Sequence, residues 1–124
     1  GYTYSAHPVA CAAGLAALTV LVDDELIDNV RAMSEKFEEA VHSLKGSPFV
    51  TDIRNYGLSA GISLEHYPGE PLRRPFEVGL KCLEKGFYVR WGGDTIQLAP
   101  PFIVNEKQID DLVNAVGESF HEFT

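Results

Sequence analysis

Gly86-Phe87-Tyr88-Val89-Arg90-Trp91-Gly92-Gly93-Asp94-Thr95-Ile96-Gln97-Leu98 reads as two short strands folded back on one another. Phe87–Arg90 and Thr95–Leu98 are rich in aromatic and β-branched residues, which suit a pleated surface. Trp91-Gly92-Gly93-Asp94 supplies the turn, and Pro100-Pro101 closes the second strand because proline donates nothing to a ladder. Gly92-Gly93 is a turn signal and not a phosphate loop. The chain has no glycine-rich loop ending in Lys-Ser/Thr and no Gly-x-Ser-x-Gly elbow.

Working outward, Pro75 to Glu84 reads as a helix stopped by Lys85-Gly86. Before it, Phe49–Arg54 and Leu58–Glu65 are two further strands around Asn55-Tyr56-Gly57, followed by a loop over 66–74. From Asp24 to about Leu44, apolar residues recur at helical spacing behind Asp23, Asp24 and Glu25, whose charge complements the helix dipole. Asn105 caps a last amphipathic helix with Ile109, Leu112, Val113, Val116 and Phe120 on one face. The expectation for 23–124 is one small α+β domain, order α-β-β-α-β-β-α, two layers with helices on an antiparallel sheet.

Residues 1–22 form a separate unit. Pro8-Val9-Ala10-Cys11-Ala12-Ala13-Gly14-Leu15-Ala16-Ala17-Leu18-Thr19-Val20-Leu21-Val22 is apolar on nearly every face and opens on a proline suited to a first turn. A helix apolar all round is a buried helix, and a chain of 124 residues can hardly cover it on every side. It is therefore expected to be an interface helix, buried against parts of a larger assembly.

Ten basic residues against 18 acidic ones set the formal net charge at −8, spread over both halves. Nucleic acid and anionic membranes are poor partners for such a surface, since phosphate neutralisation needs a basic stripe. Arg73-Arg74 is an isolated basic pair. No apolar run reaches the roughly 18 residues of a transmembrane helix, and no signal peptide is read at the start. Two cysteines, Cys11 and Cys82, need no disulfide framework, so a reducing compartment, the cytoplasm, is expected. His7 and Cys11, four apart, have the spacing to share a helix face, but two ligands make no zinc site; His42, His66 and His121 read as isolated surface or cap residues, and no metal is expected.

Two places could carry chemistry. Gly1-Tyr2-Thr3-Tyr4-Ser5 puts hydroxyls and free backbone N–H groups just ahead of a helix, which suits either a structural cap or a phosphate contact. Arg90, at a strand end beside an aromatic residue and two glycines, suits either a surface ion pair or a two-point clamp on a carboxylate.

The whole stretch Gly1–Ala13, together with Asp52-Ile53-Arg54-Asn55-Tyr56-Gly57-Leu58, Arg74-Pro75-Phe76-Glu77 and Gly86–Gln97, resembles class III (fold type I) pyridoxal-phosphate aminotransferases. The likeness runs in register from Gly1 to about Ser119 and is greatest to the ω-amino acid–pyruvate branch; Ala6 stands where glycine is commoner. The resemblance implies a small C-terminal domain of an enzyme, a transaminase, that moves an amino group from an ω-amino acid such as β-alanine to pyruvate. It implies that the Tyr2 backbone and the Thr3 hydroxyl contact the phosphate of pyridoxal 5'-phosphate held by the other subunit of a homodimer or tetramer. It also implies that Arg90 binds the substrate carboxylate, which donor and keto acid share.

None of Lys36, Lys45, Lys81, Lys85 and Lys107 resembles the family's Schiff-base lysine, which is expected upstream of residue 1 with the aspartate of the pyridine nitrogen. No catalytic residue is therefore expected here. The 124 residues are expected to be inactive alone and to dock on their own N-terminal large domain. Two other readings stand beside this one: a stand-alone α+β ligand-binding or regulatory module, and an aminomutase or other class III aminotransferase with the same cofactor.

Overall fold

A computed structural model describes residues 1–122. The elements in chain order are α1 (Pro8–Asp23), α2 (Leu26–His42), β1 (Val50–Tyr56), β2 (Ser59–Leu64), α3 (Arg73–Glu84), β3 (Arg90–Gly92), β4 (Thr95–Leu98) and α4 (Glu106–His121). All strand pairs are antiparallel, in the spatial order β1-β2-β4-β3. Each hairpin closes through a two-residue turn with a left-handed glycine first, Gly57 at φ 54° and Gly93 at φ 61°.

Alternation along β2 decides the layering. Ala60, Ile62 and Leu64 are buried while Ser59 is exposed and Gly61 and Ser63 are half-buried, so one sheet face is covered and the other open. The covered face meets Phe37 and Val41 of α2, Val78 and Cys82 of α3, and Ile109, Val113, Val116 and Phe120 of α4. Each large side chain so buried contributes about 1.5–3 kcal/mol, and α4 packs against both α2 and α3 to close the layer. Asn105 starts α4 with a capping box: its side chain accepts from the Gln108 N–H at 2.9 Å, and Gln108 accepts from the Asn105 N–H at 3.0 Å.

The expected two-layer α+β fold is the observed one, with shifts at element ends. The third helix starts at Arg73 rather than Pro75, because a proline in the first turn forfeits an N–H that has no helical partner anyway. The strand expected over Phe87–Arg90 instead covers Arg90–Gly92. In that register Arg90 faces Gln97, and the partner strand ends at Leu98, ahead of two prolines without N–H groups. Helix α2 stops at His42, and tighter turns through Ser43–Lys45 carry Leu44 into the core before Gly46 at φ 89°.

Helix α1 buries none of its residues within this chain; Leu15, Leu18 and Val22 are all exposed. It joins α2 through Asp24 and Glu25, the latter left-handed at φ 51°. No helix among the described residues is long and apolar enough to cross a membrane.

Candidate functional site

Arg90 opens β3, an edge strand, and its side chain is exposed. Among the described residues it makes no ion pair or hydrogen bond, whereas Arg31 pairs with Asp28, Arg54 with Asp52 at 2.9 Å and Arg73 with Glu77 at 2.8 Å. The surface ion pair open to Arg90 from sequence is therefore not formed in a chain with acid to spare. An unpartnered guanidinium of fixed charge is available for an external carboxylate.

The strand carrying Arg90 is held by its neighbours. The Trp91 ring lies against α3, so close that a Cβ on Gly79 would sit 2.5 Å from the ring, and Phe76 meets it edge-on at 5.8 Å between centroids. Gly92 leaves room for the Gln97 amide, which would stand 2.7 Å from a side chain there. At the turn, Asp94 accepts from the Thr95 hydroxyl at 2.8 Å and pairs with His66 at 3.2 Å, contacts that hold its carboxyl below the ordinary aspartate range. The Asp94 carbonyl accepts from the Leu64 N–H at 2.9 Å, and Arg54 donates to Ser63 at 2.9 Å and Thr95 at 3.4 Å. Arg54, Gly61, Gly92, Thr95 and Gln97 line a shallow concavity of about 560 Å³ on the open sheet face.

Tyr2 and Thr3 are exposed ahead of α1. The structural cap that the sequence allowed is absent: His7 is the N-cap residue and no side chain caps the helix. Turn bonds run from the Ser5 N–H to the Tyr2 carbonyl and from the His7 N–H to the Tyr4 carbonyl, both 3.2 Å. Among the described residues, the N–H groups of Tyr2 and Thr3 and the Thr3 hydroxyl have no partner. That uncharged donor set fits a phosphate ester. Ala6 takes φ 60°, the left-handed region, which is the physical reason glycine suits this position. Among the described residues no hydrogen bond or ion pair links residues 1–7 to Arg90, so the two candidate groups are not brought together within this chain.

The lysines are placed as structural cations. Lys36 pairs with Asp110 at 2.7 Å, Lys85 with Glu122 at 2.7 Å, Lys81 with Glu84 at 2.9 Å and Lys107 with Asp111 at 2.6 Å. Those carboxylates push Lys36, Lys81 and Lys85 above the usual lysine range, opposite to what a nucleophilic amine needs. Lys45 is exposed beside Gly46. Cys82 is fully buried, with burial pushing its thiol up, and packs on Ser119 at 3.5 Å. Among the described residues no group of three or more His, Cys, Asp or Glu could hold a metal ion.

Residues 1–120 match the family model described as aminotransferase class-III. The chain belongs to that family. This class-III aminotransferase chain is 50% identical over 121 residues to a beta-alanine–pyruvate aminotransferase of Pseudomonas aeruginosa, covering 98% of this chain and 27% of that protein. It is also 50% identical over 118 residues to an omega-amino acid–pyruvate aminotransferase of Pseudomonas putida, covering 95% of this chain and 26% of that protein. Among solved structures, the PMP-bound form of an aminotransferase from Vibrio fluvialis superposes with a TM-score of 0.87 at 27% identity, over 98% of this chain and 28% of that one. The chain thus spans about a quarter of the length of the curated relatives it matches.

Some contacts of the aminotransferase chain are not visible in its sequence; His42, expected to be isolated, meets the Asn55 side chain at 3.0 Å. His66, expected to be isolated, pairs with Asp94 across 28 positions, a separation no local spacing rule reaches. Arg74, one of the isolated basic pair Arg73-Arg74, is buried, and no local signal in the sequence marks it for burial.

Proposed function

We propose that this chain is the C-terminal part of an aminotransferase that passes an amino group from an ω-amino acid such as β-alanine to pyruvate with pyridoxal 5'-phosphate. The observation that carries the reading is Arg90: a guanidinium on an edge strand with no partner among the described residues, in a chain half identical to relatives bearing those substrate names. When bound, the cofactor supplies the carbonyl and electron sink for amino exchange. The Tyr2 backbone N–H and the Thr3 hydroxyl donate to its phosphate, in the subunit facing this one. Arg90 holds the carboxylate common to amino donor and keto acid, fixing either one by two parallel hydrogen bonds. The amine that moves the proton is supplied by the rest of the protein, since Lys36, Lys81 and Lys85 are kept charged by carboxylates. The apolar, unburied α1 supports docking on a large domain and a second subunit, in a homodimer or tetramer. Both cysteines being free supports a reducing, cytoplasmic setting.

The test is Arg90→Ala in the complete enzyme. Charged hydrogen bonds to a carboxylate are worth about 1.5–3 kcal/mol, so KM for both β-alanine and pyruvate rises about ten- to a hundredfold. Amine donors without a carboxylate lose far less, and Arg90→Lys restores little because a point charge lacks the planar fork. Equal losses for carboxylate-bearing and carboxylate-free donors would make Arg90 a fold residue and sink the assignment.

A further inference from the structure

Arg74 is a buried cation without a counter-ion. The residue is 9% exposed, and its guanidinium carbon lies 3.6 Å from the Phe49 ring centroid and 5.8 Å from that of Tyr67. Its Nε is fully buried with no hydrogen-bond partner, and the two Nη nitrogens, not fully buried, also have none among the described residues. The anomaly is sharp in a chain with 18 acidic residues. The half-buried cations Lys36, Lys81 and Lys85 all reach a carboxylate, but Arg74 reaches none.

Three features suit this arginine to an anion. Phe49 stacks over the guanidinium at 3.6 Å and leaves the N–H groups in the guanidinium plane to match a carboxylate or phosphate edge. Phe49 itself is held at φ 66°, a left-handed backbone rare for an aromatic residue, with its carbonyl tied to the Glu65 N–H at 2.8 Å. Such local strain persists where the surrounding structure imposes it, and it collects at ligand sites. Arg74 is also the second residue of α3, whose N-cap Leu72 offers no side-chain cap and whose Arg74 N–H has no backbone partner among the described residues. The positive end of the helix dipole therefore adds to the guanidinium charge. Arg73 beside it is neutralised by Glu77 and Glu70 and adds nothing.

We propose that Arg74 anchors an oxyanion-binding site, taking the carboxylate or phosphate group of a small ligand along its Nη edge at the N-terminus of α3. The site is independent of the role given to Arg90. The test uses the complete protein with its cofactor bound and carrying Arg90→Ala, so that neither the cofactor's phosphate contact nor Arg90 takes up the probe. Its thermal midpoint is followed against inorganic phosphate and, separately, acetate, with sodium chloride exchanged to keep ionic strength constant.

A saturable rise is expected, and Arg74→Met weakens the apparent affinity about tenfold or more. Arg74→Lys weakens it too, since the charge stays but the fork is lost. The anion giving the tighter curve identifies the ligand as phosphate- or carboxylate-bearing. Should Arg74→Met fail to fold, Phe49→Leu, which removes the ring beneath the guanidinium, is expected to weaken binding in the same direction. No rise with either anion up to about 50 mM, or the same rise after the Arg74 and Phe49 substitutions, overturns the proposal.

Discussion

Gly79→Ala puts one methyl group where the Trp91 ring already lies. Its Cβ would stand 2.5 Å from Cζ3 and 2.7 Å from Cε3 of the indole. Ordinary carbon contacts are about 3.5–4.0 Å, so the ring must retreat by about 1 Å, and Phe76 sits edge-on against it. Alanine in place of glycine within a helix returns about 1 kcal/mol, whereas overpacking costs about 1–3 kcal/mol. The net expectation is a destabilisation of about 1 kcal/mol, or a fall in Tm of about 3–6 °C for a domain of this size. Thermal or urea unfolding reads it directly. The decisive arm is the same substitution in a Trp91→Val background: with the indole gone the steric cost vanishes, and Gly79→Ala should stabilise by about 1 kcal/mol, a coupling of about 2 kcal/mol. Stabilisation in both backgrounds would show that Trp91 is not seated on Gly79, and that Arg90, one residue earlier on β3, is not held in place through α3.

Exposed Cys11 and fully buried Cys82 should separate under a thiol reagent, one equivalent reacting at once in the native chain and the second on unfolding; rapid labelling of Cys82 would contradict its packing. In the complete enzyme, Cys11 should become shielded as well if α1 docks there. The Asp94 carboxyl is held low by the Thr95 hydroxyl and by His66, so its contribution is present above the ordinary aspartate range and is lost as pH falls through the lower folded value. Asp94→Asn should therefore flatten the loss of stability below about pH 4, and an unchanged acid limb would show the pair to be idle. Ala6→Gly relieves a left-handed alanine by about 1 kcal/mol, and amide exchange at Ser5 and His7, whose N–H groups close the turn, should slow.

Much of the fold was legible because it depends on local periodicity. Helical spacing over 24–44 and 105–121, alternation along Ser59–Leu64 and the glycines at Gly57 and Gly93 are consequences of burying one face of each element, and they survive in a string of letters. The boundaries that moved did so for non-local reasons. Phe87–Val89 has strand-forming side chains but no ladder partner, since its neighbour ends before Pro100, and Pro75 tolerates two helical residues ahead of it.

For the candidate site, the sequence by itself determined the kinds of group present: a lone strand-end arginine, a hydroxyl segment before an apolar helix, and lysines set among carboxylates or helix-ending glycines. Tertiary structure decided which of these groups are free. Arg90 stays unpaired while Arg54 and Arg73 are neutralised, His66 reaches Asp94, and Arg74 is drawn under cover against Phe49 without a carboxylate. Whether a charge finds a partner depends on distances between segments tens of residues apart, and those distances exist once the sheet and its helices have packed.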